Sequence, residues 1–165
     1  MTTITQESTA GRLYHRPVAT GPAFWGPGDH YTFLVTGEES DGAYFAMEAL
    51  VPPGGGPPPH IHTRDDETFY VLEGEIEFLL GEERITAGRG DFVNVPRGTV
   101  HRFTNTGTET ARLVLTFTPA GLEHWFLETL EHAPNEVVAE DVPDNVDEVA
   151  ARYAAAAPRY GLEFV

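Results

Sequence analysis

The stretch GGGPPPHIHTRDDETFYVLEG (residues 54–74) places two histidines, His60 and His62, one residue apart, with Glu67 five positions after the second. On an extended strand, residues i and i+2 project to the same face. Both imidazoles can therefore converge on one ion while Ile61 points the other way. Glu67 opens the apolar run TFYVL, which reads as the next strand and can carry a carboxylate to the same point.

Outward from this stretch the chain keeps a β pattern. Short apolar runs (LYHRPV, YTFLVTG, YFAMEALV, then IEFLL, RITAG, DFVNVP, VHRFTN and ARLVLTFT) are separated by Gly, Pro and Asp clusters. Their spacing predicts an antiparallel sandwich or barrel rather than βαβ units. Ile76, Phe78 and Leu80 alternate with Glu75 and Glu77, and Leu113, Leu115 and Phe117 repeat the pattern, so each strand has one buried face. After Pro119 the period changes. Leu122, Trp125, Phe126, Thr129 and Leu130 follow helical spacing, and a second helix is expected from an N-cap at Asp144. Its stripe of Val146, Val149, Ala150, Tyr153, Ala154 and Ala157 is stopped at Pro158. The segment HAPNEVVAEDVPDN between the helices reads as an acidic loop, and YGLEFV is apolar enough to dock on the barrel or on a partner. The expected organisation is a single domain: a mobile N-terminal arm, or an edge strand lent to a partner subunit, over residues 1–11, a β-barrel over 12–118 and a helical extension over 119–165.

A second segment, GDFVNVPRGTVHRFTN (residues 90–105), completes the constellation. Pro96 and Gly98 form a turn that sets His101 at the start of the following strand, as a fourth candidate ligand. The two segments resemble the two motifs of the cupin superfamily. Gly54, five residues, His60-x-His62, four residues, Glu67, six residues and Gly74 resemble the first. Gly90, five residues, Pro96-x-Gly98, two residues, His101, three residues and Asn105 resemble the second, after a gap of fifteen residues. Residues 54–105 are about a third of the chain. The resemblance implies an all-β fold, a jelly-roll barrel of antiparallel strands with C-terminal α-helices. It also implies that His60, His62, Glu67 and His101 hold one divalent metal inside the barrel, and by family habit it implies a homodimer.

Composition removes other chemistries. There is no cysteine, which excludes disulfides, thiolate zinc sites and cysteine nucleophiles. All ten basic residues are arginine, so no lysine is present to form a Schiff base. Ser8 and Ser40 are the only serines and neither lies in a nucleophile elbow. A net charge of −16 repels phosphate backbones and anionic headgroups, so neither nucleic acid nor a membrane is expected as a partner. The first residues lack a secretion signal, and the default expectation is a cytoplasmic location.

Three neutral imidazoles and one carboxylate suit iron, manganese, nickel, cobalt or copper, with zinc also accommodated, and ligands from one side leave positions open for substrate or dioxygen. A weakly bound Glu67 can also take a proton from a substrate hydroxyl, which makes it the candidate general base. Tyr31, Phe33, Phe45, Phe69 and Phe103 are candidate walls of an aromatic pocket above the metal. Asp65 and Asp66 read as solvated loop charges, and His15, His30, His124 and His132 as surface histidines. Arg64, Arg97 and Arg102 read as surface ion pairs. Within the superfamily the VLEGE and PAGLEHWF segments look most like bacterial quercetinase-like monocupins. That likeness implies a metal-dependent dioxygenase cleaving a flavonol or similar hydroxylated ring with O2. A metal-dependent isomerase or cyclase on a polyketide-like or enol substrate would use the same ligands, and a non-catalytic small-molecule-binding cupin is the third reading.

Overall fold

The computed structural model describes residues 14–137 and 143–165. In chain order it contains β1 (Ala23–Trp25), β2 (His30–Val35), β3 (Phe45–Val51), β4 (His60–His62), β5 (Asp66–Glu73), β6 (Glu75–Leu80), β7 (Glu83–Gly88), β8 (Phe92–Val95), β9 (His101–Asn105), β10 (Ala111–Thr118), α1 (Glu123–Thr129), β11 (Glu131–His132), α2 (Val146–Ala156) and β12 (Leu162–Phe164). All pairings are antiparallel, in a seven-stranded sheet of order β11-β1-β2-β3-β10-β5-β8 and a five-stranded sheet of order β12-β4-β9-β6-β7. This is a jelly roll of two sheets with short helices at its C-terminal end. Among the described residues no helix is long and apolar enough to cross a membrane.

The alternation in the sequence becomes the core. Val71 and Phe69 on β5, Ile76 and Phe78 on β6, and Ala111, Leu113, Leu115 and Phe117 on β10 are buried, while Tyr70, Glu75 and Glu73 lie outside. The same inward faces carry polar residues where the strands begin. Glu67 precedes Phe69 by two residues on β5, and His101 precedes Phe103 by two on β9. Period-two geometry thus sends a carboxylate and an imidazole inward with the aromatic residues.

Two glycine positions fix where the histidine strand lies. Gly98 has φ +83 in the turn before β9, and its N–H donates to the His62 carbonyl at 2.7 Å, which ties that turn to the end of β4. Gly56 has φ +125 and lies so close to β9 that a Cβ there would sit 2.1 Å from the Phe103 carbonyl oxygen. Asn105, at the far end of β9, donates to the Val51 and Glu109 carbonyls at 2.8 Å each and accepts from the Gly107 N–H at 2.9 Å.

The structure departs from the sequence expectations at several elements. No strand forms over the described part of LYHRPV. Pro17 lacks the N–H that a ladder needs, and the Thr20 hydroxyl donates to the Pro17 carbonyl at 2.7 Å, closing a turn. Leu13 and the expected N-terminal arm lie outside the described residues, as do residues 138–142 of the acidic loop. The beginning of that loop is ordered as β11, which pairs with the short β1. The second helix starts after Asn145 rather than Asp144, and the Asn145 side chain donates to Glu131 at 3.0 Å instead of capping. YGLEFV docks on the barrel as β12, adding a strand beside β4 with Leu162 opposite His62 and Phe164 opposite His60.

Helix α1 closes one end of the roll. Its buried Glu123 accepts from the Gly121 and Gly37 N–H groups, each at 2.7 Å, so the carboxylate ties the helix start to the loop after β2. Trp125 stacks on Tyr153 of α2 at 3.7 Å between ring centroids, and its indole N–H donates to the Tyr153 carbonyl at 2.9 Å. Phe126 reaches Phe33, Phe45 and Phe117 in the core. Phe126→Ala is expected to lower unfolding free energy by about 3–5 kcal/mol. Leu127→Ala, on the exposed side of the same helix, should change it by less than about 0.5 kcal/mol, both read from denaturant titrations.

Candidate metal centre

The side chains of His60, His62, Glu67 and His101 are all buried, and one ligand atom from each lies within 4.8 Å of the others. His60 stands directly opposite His101 across the β4–β9 pair, and Glu67 arrives from the facing sheet. The group could hold a metal ion.

Hydrogen bonds at the outer edge of the rings determine which nitrogen faces inward. The Nδ1–H of His60 donates to the Pro58 carbonyl at 2.9 Å, and the Nδ1–H of His101 donates to the Thr99 carbonyl at 2.9 Å. Each ring therefore presents Nε2 to the cluster. Glu67 Oε2 lies 2.8 Å from His101 Nε2 and 3.2 Å from His62 Nε2. A neutral imidazole has one N–H, and His101 uses it on Thr99. Its contact with Glu67 needs a positive charge between two lone pairs, either a proton or a metal ion. The donor set thus fits a divalent cation: inward Nε2 atoms and a carboxylate, with no competing thiolate.

The electrostatics have the same sense. Burial and the neighbouring His101 pull His60 down to about 4, which leaves its ring neutral at neutral pH. Burial would raise Glu67, but the His62 and His101 rings override it and hold the carboxyl well below the usual carboxylate range. Burial would also lower His62, but the carboxylates of Glu67 and Asp65 prevail and raise it to about 10.

Asp65 is the residue that the sequence reading placed wrongly. It is not a solvated loop charge; it is 4% exposed, with Oδ2 2.8 Å from His62 Nδ1. The contact is an ion pair in distance without hydrogen-bond alignment, since both atoms lack a hydrogen-bond partner. The i,i+3 spacing of His62 and Asp65 across the turn between β4 and β5 is the signal in the sequence that could have found it. Asp66 does point outward, where Arg97 bonds it at 3.0 Å. Arg102 lies 3.9 Å from Glu77, also at the surface. His15, His124 and His132 are exposed, but His30 is buried: its Nε2–H donates to the Pro134 carbonyl at 2.8 Å and its ring packs against Trp25.

A cavity of about 30 Å³ adjoins His60, His62 and Glu67, room for about one water molecule. Of the five expected pocket aromatics, Tyr31 lines it. Phe33, Phe45, Phe69 and Phe103 do not line it and pack in the apolar core. The aromatic wall comes from Phe117 on β10 and from Trp125, Phe126, Tyr153 and Phe164, which the C-terminal elements bring over the ligands.

Residues 47–117 match the protein family described as the cupin domain. Among curated proteins the chain is 32% identical to quercetin 2,3-dioxygenase of Bacillus subtilis over 77 residues, which cover 46% of this chain and 23% of that protein. It is 32% identical to the polyketide synthase CurC of Streptomyces cyaneus over 92 residues, covering 56% of this chain and 60% of that protein. The cupin match thus spans only part of the curated relatives. A solved RmlC-like cupin from Shewanella frigidimarina superposes with a TM-score of 0.58 at 20% identity, covering 70% of this chain and 99% of that one, a likeness of fold.

His60→Ala and His101→Ala are each expected to lower bound metal, measured by elemental analysis, while the β-sheet circular dichroism is retained. Asp65→Asn should weaken metal binding by about 10–100-fold through loss of the His62 contact. A ligating His62 must be neutral, yet the free ring is raised to about 10, so metal binding at neutral pH expels a proton and affinity rises with pH up to that value. Calorimetry in buffers of different ionisation enthalpy should register at least about one proton released; a value of zero contradicts the ligand role of His62.

Proposed function

We propose that the protein is a metal-dependent enzyme acting on a flat substrate with an enolic or phenolic hydroxyl, and that it is a dioxygenase of the quercetinase type. The observation that carries this reading is the buried His60–His62–Glu67–His101 group facing a cavity walled by Tyr31, Phe117, Trp125, Phe126, Tyr153 and Phe164. The likeness to a quercetin 2,3-dioxygenase supports the oxygen-dependent form of the reaction.

His60, His62, Glu67 and His101 would hold the ion. When bound, it supplies Lewis acidity and, for a redox-active metal, electron exchange with dioxygen. The protein's own part is proton handling and exclusion of water. Glu67 stands with Oε2 at the centre of the group, where a carboxylate can accept the hydroxyl proton of the substrate. The aromatic walls shield the resulting anion from water. Asp65 acts through His62, holding the ring that faces Glu67.

The likeness to a polyketide synthase component, which extends over more of this chain, favours one second reading: a cyclase or isomerase in which the ion serves as Lewis acid only. Oxygen uptake separates the two. Protein stripped of metal and refilled with iron, manganese, nickel, cobalt, copper or zinc should consume dioxygen with a flavonol or related enol for at least one metal. Turnover without uptake, giving a product that contains no atom from dioxygen, overturns the dioxygenase reading and leaves the Lewis-acid one. Glu67→Gln should retain some metal and lose about 10²–10⁴-fold in turnover; wild-type rates would remove Glu67 as the base.

A further inference from the structure

A second cavity, of about 270 Å³, lies against the first and shares Tyr31, Pro57, Tyr153 and Phe164 with it. Its walls are mostly apolar, and it contains one carboxyl that the four-residue group does not use. Asp29, in the turn between β1 and β2, is 3% exposed. Its Oδ2 accepts from the Tyr31 hydroxyl at 3.2 Å, while Oδ1 is buried with no hydrogen-bond partner. A buried acceptor left unpaired costs stability, so a natural chain that keeps one needs a compensating reason. Burial outweighs the Tyr31 hydrogen bond and raises Asp29 to about 7, which matches a carboxyl short of polar company.

Two glycines clear the space for this pair. A Cβ at Gly26 would lie 2.4 Å from the Tyr31 ring, and one at Gly55 would lie 2.8 Å from Asp29 Oδ1. The Tyr31 hydroxyl is itself held protonated, pushed up by burial and by the Asp29 carboxylate, and so remains a donor to Asp29. One carboxyl oxygen is thus held by the Tyr31 hydroxyl, and the other has no partner in the protein. The remaining walls, Pro57, Pro58, Ala150, Tyr153, Ala154 and Phe164, offer flat or small apolar surface.

We propose that Asp29 is a specificity-determining residue, accepting a hydrogen bond from a second hydroxyl at the end of the substrate remote from the metal centre. The ligand class is a flat aromatic molecule with hydroxyls at both ends, one at the metal centre and one at Asp29. This inference rests on the proposed function for the anchoring of the first hydroxyl. Asp29 selects among such molecules and takes no part in bond making or breaking.

The test compares 3-hydroxyflavone, which has a hydroxyl at one end only, with its 3′- and 4′-hydroxy derivatives, titrated calorimetrically into the metal-loaded protein. Wild type should bind at least one derivative about tenfold or more tighter than the parent. Asp29→Leu should erase that ratio while leaving parent affinity within about twofold. If Asp29→Leu does not fold, Asp29→Asn, which keeps an acceptor oxygen and the side-chain shape, should reduce the ratio without abolishing it. Equal affinities in wild type, no binding of any probe, a ratio that survives both substitutions, or tighter binding of a cationic 4′-aminomethyl analogue, overturns the proposal. Oxygen uptake recorded on the same samples keeps the two readings apart. A ratio dependent on Asp29 without uptake sinks the dioxygenase and leaves this assignment standing, whereas uptake with an unchanged ratio does the reverse.

Discussion

Glu67 Oε2 faces two imidazole nitrogens from inside a jelly roll, at 2.8 Å from His101 and 3.2 Å from His62, where almost no water reaches. A carboxylate in such a place is unstable without positive charge beside it. That single requirement explains much of the architecture around it. His101 and His60 must turn Nε2 inward, so Thr99 and Pro58 offer carbonyls to their outer nitrogens. His62 must stay beside the carboxylate, so Asp65 folds back onto its other nitrogen and Gly98 bonds its backbone carbonyl. A divalent ion meets the requirement better than protons do, since it replaces several partial arrangements with one charge shared by four donors.

The C-terminal elements have a different task. Strand β12 covers the free edge of the three-residue strand that carries His60 and His62, and Phe164 comes down beside His60. Helices α1 and α2, locked by the Trp125–Tyr153 stack, supply half of the aromatic wall over the ligands. The barrel therefore holds the charged group, and the tail determines the shape of the space next to it. That division separates the candidate ligand group, which rests on short-range spacing, from the walls beside it, which rest on segments far along the chain.

This division also marks what could be read from the sequence. His60, His62, Glu67 and His101 stand at spacings that strand geometry and a Pro–Gly turn translate directly into shared faces, so their convergence was legible. The strands from β2 to β10 were legible for the same reason, through alternation and turn residues. Phe33, Phe45, Phe69 and Phe103 were misplaced because alternation tells which face a side chain takes but not which end of the barrel it fills. Tyr153 and Phe164 reach the cavity only through tertiary packing of the tail, which no local pattern encodes. Asp65 was lost beside two other acidic residues, since its inward turn depends on a backbone bend between strands. His30 is buried by an equally non-local contact with Pro134.

The central claim is that these four residues bind one ion together. X-ray absorption at the edge of the bound metal, on protein loaded with cobalt or nickel to a stoichiometry fixed by elemental analysis, tests it most directly. The account predicts one metal per chain, with three imidazole scatterers and a carboxylate oxygen in its coordination sphere. A stoichiometry near zero, or a sphere with no more than one imidazole, would contradict it.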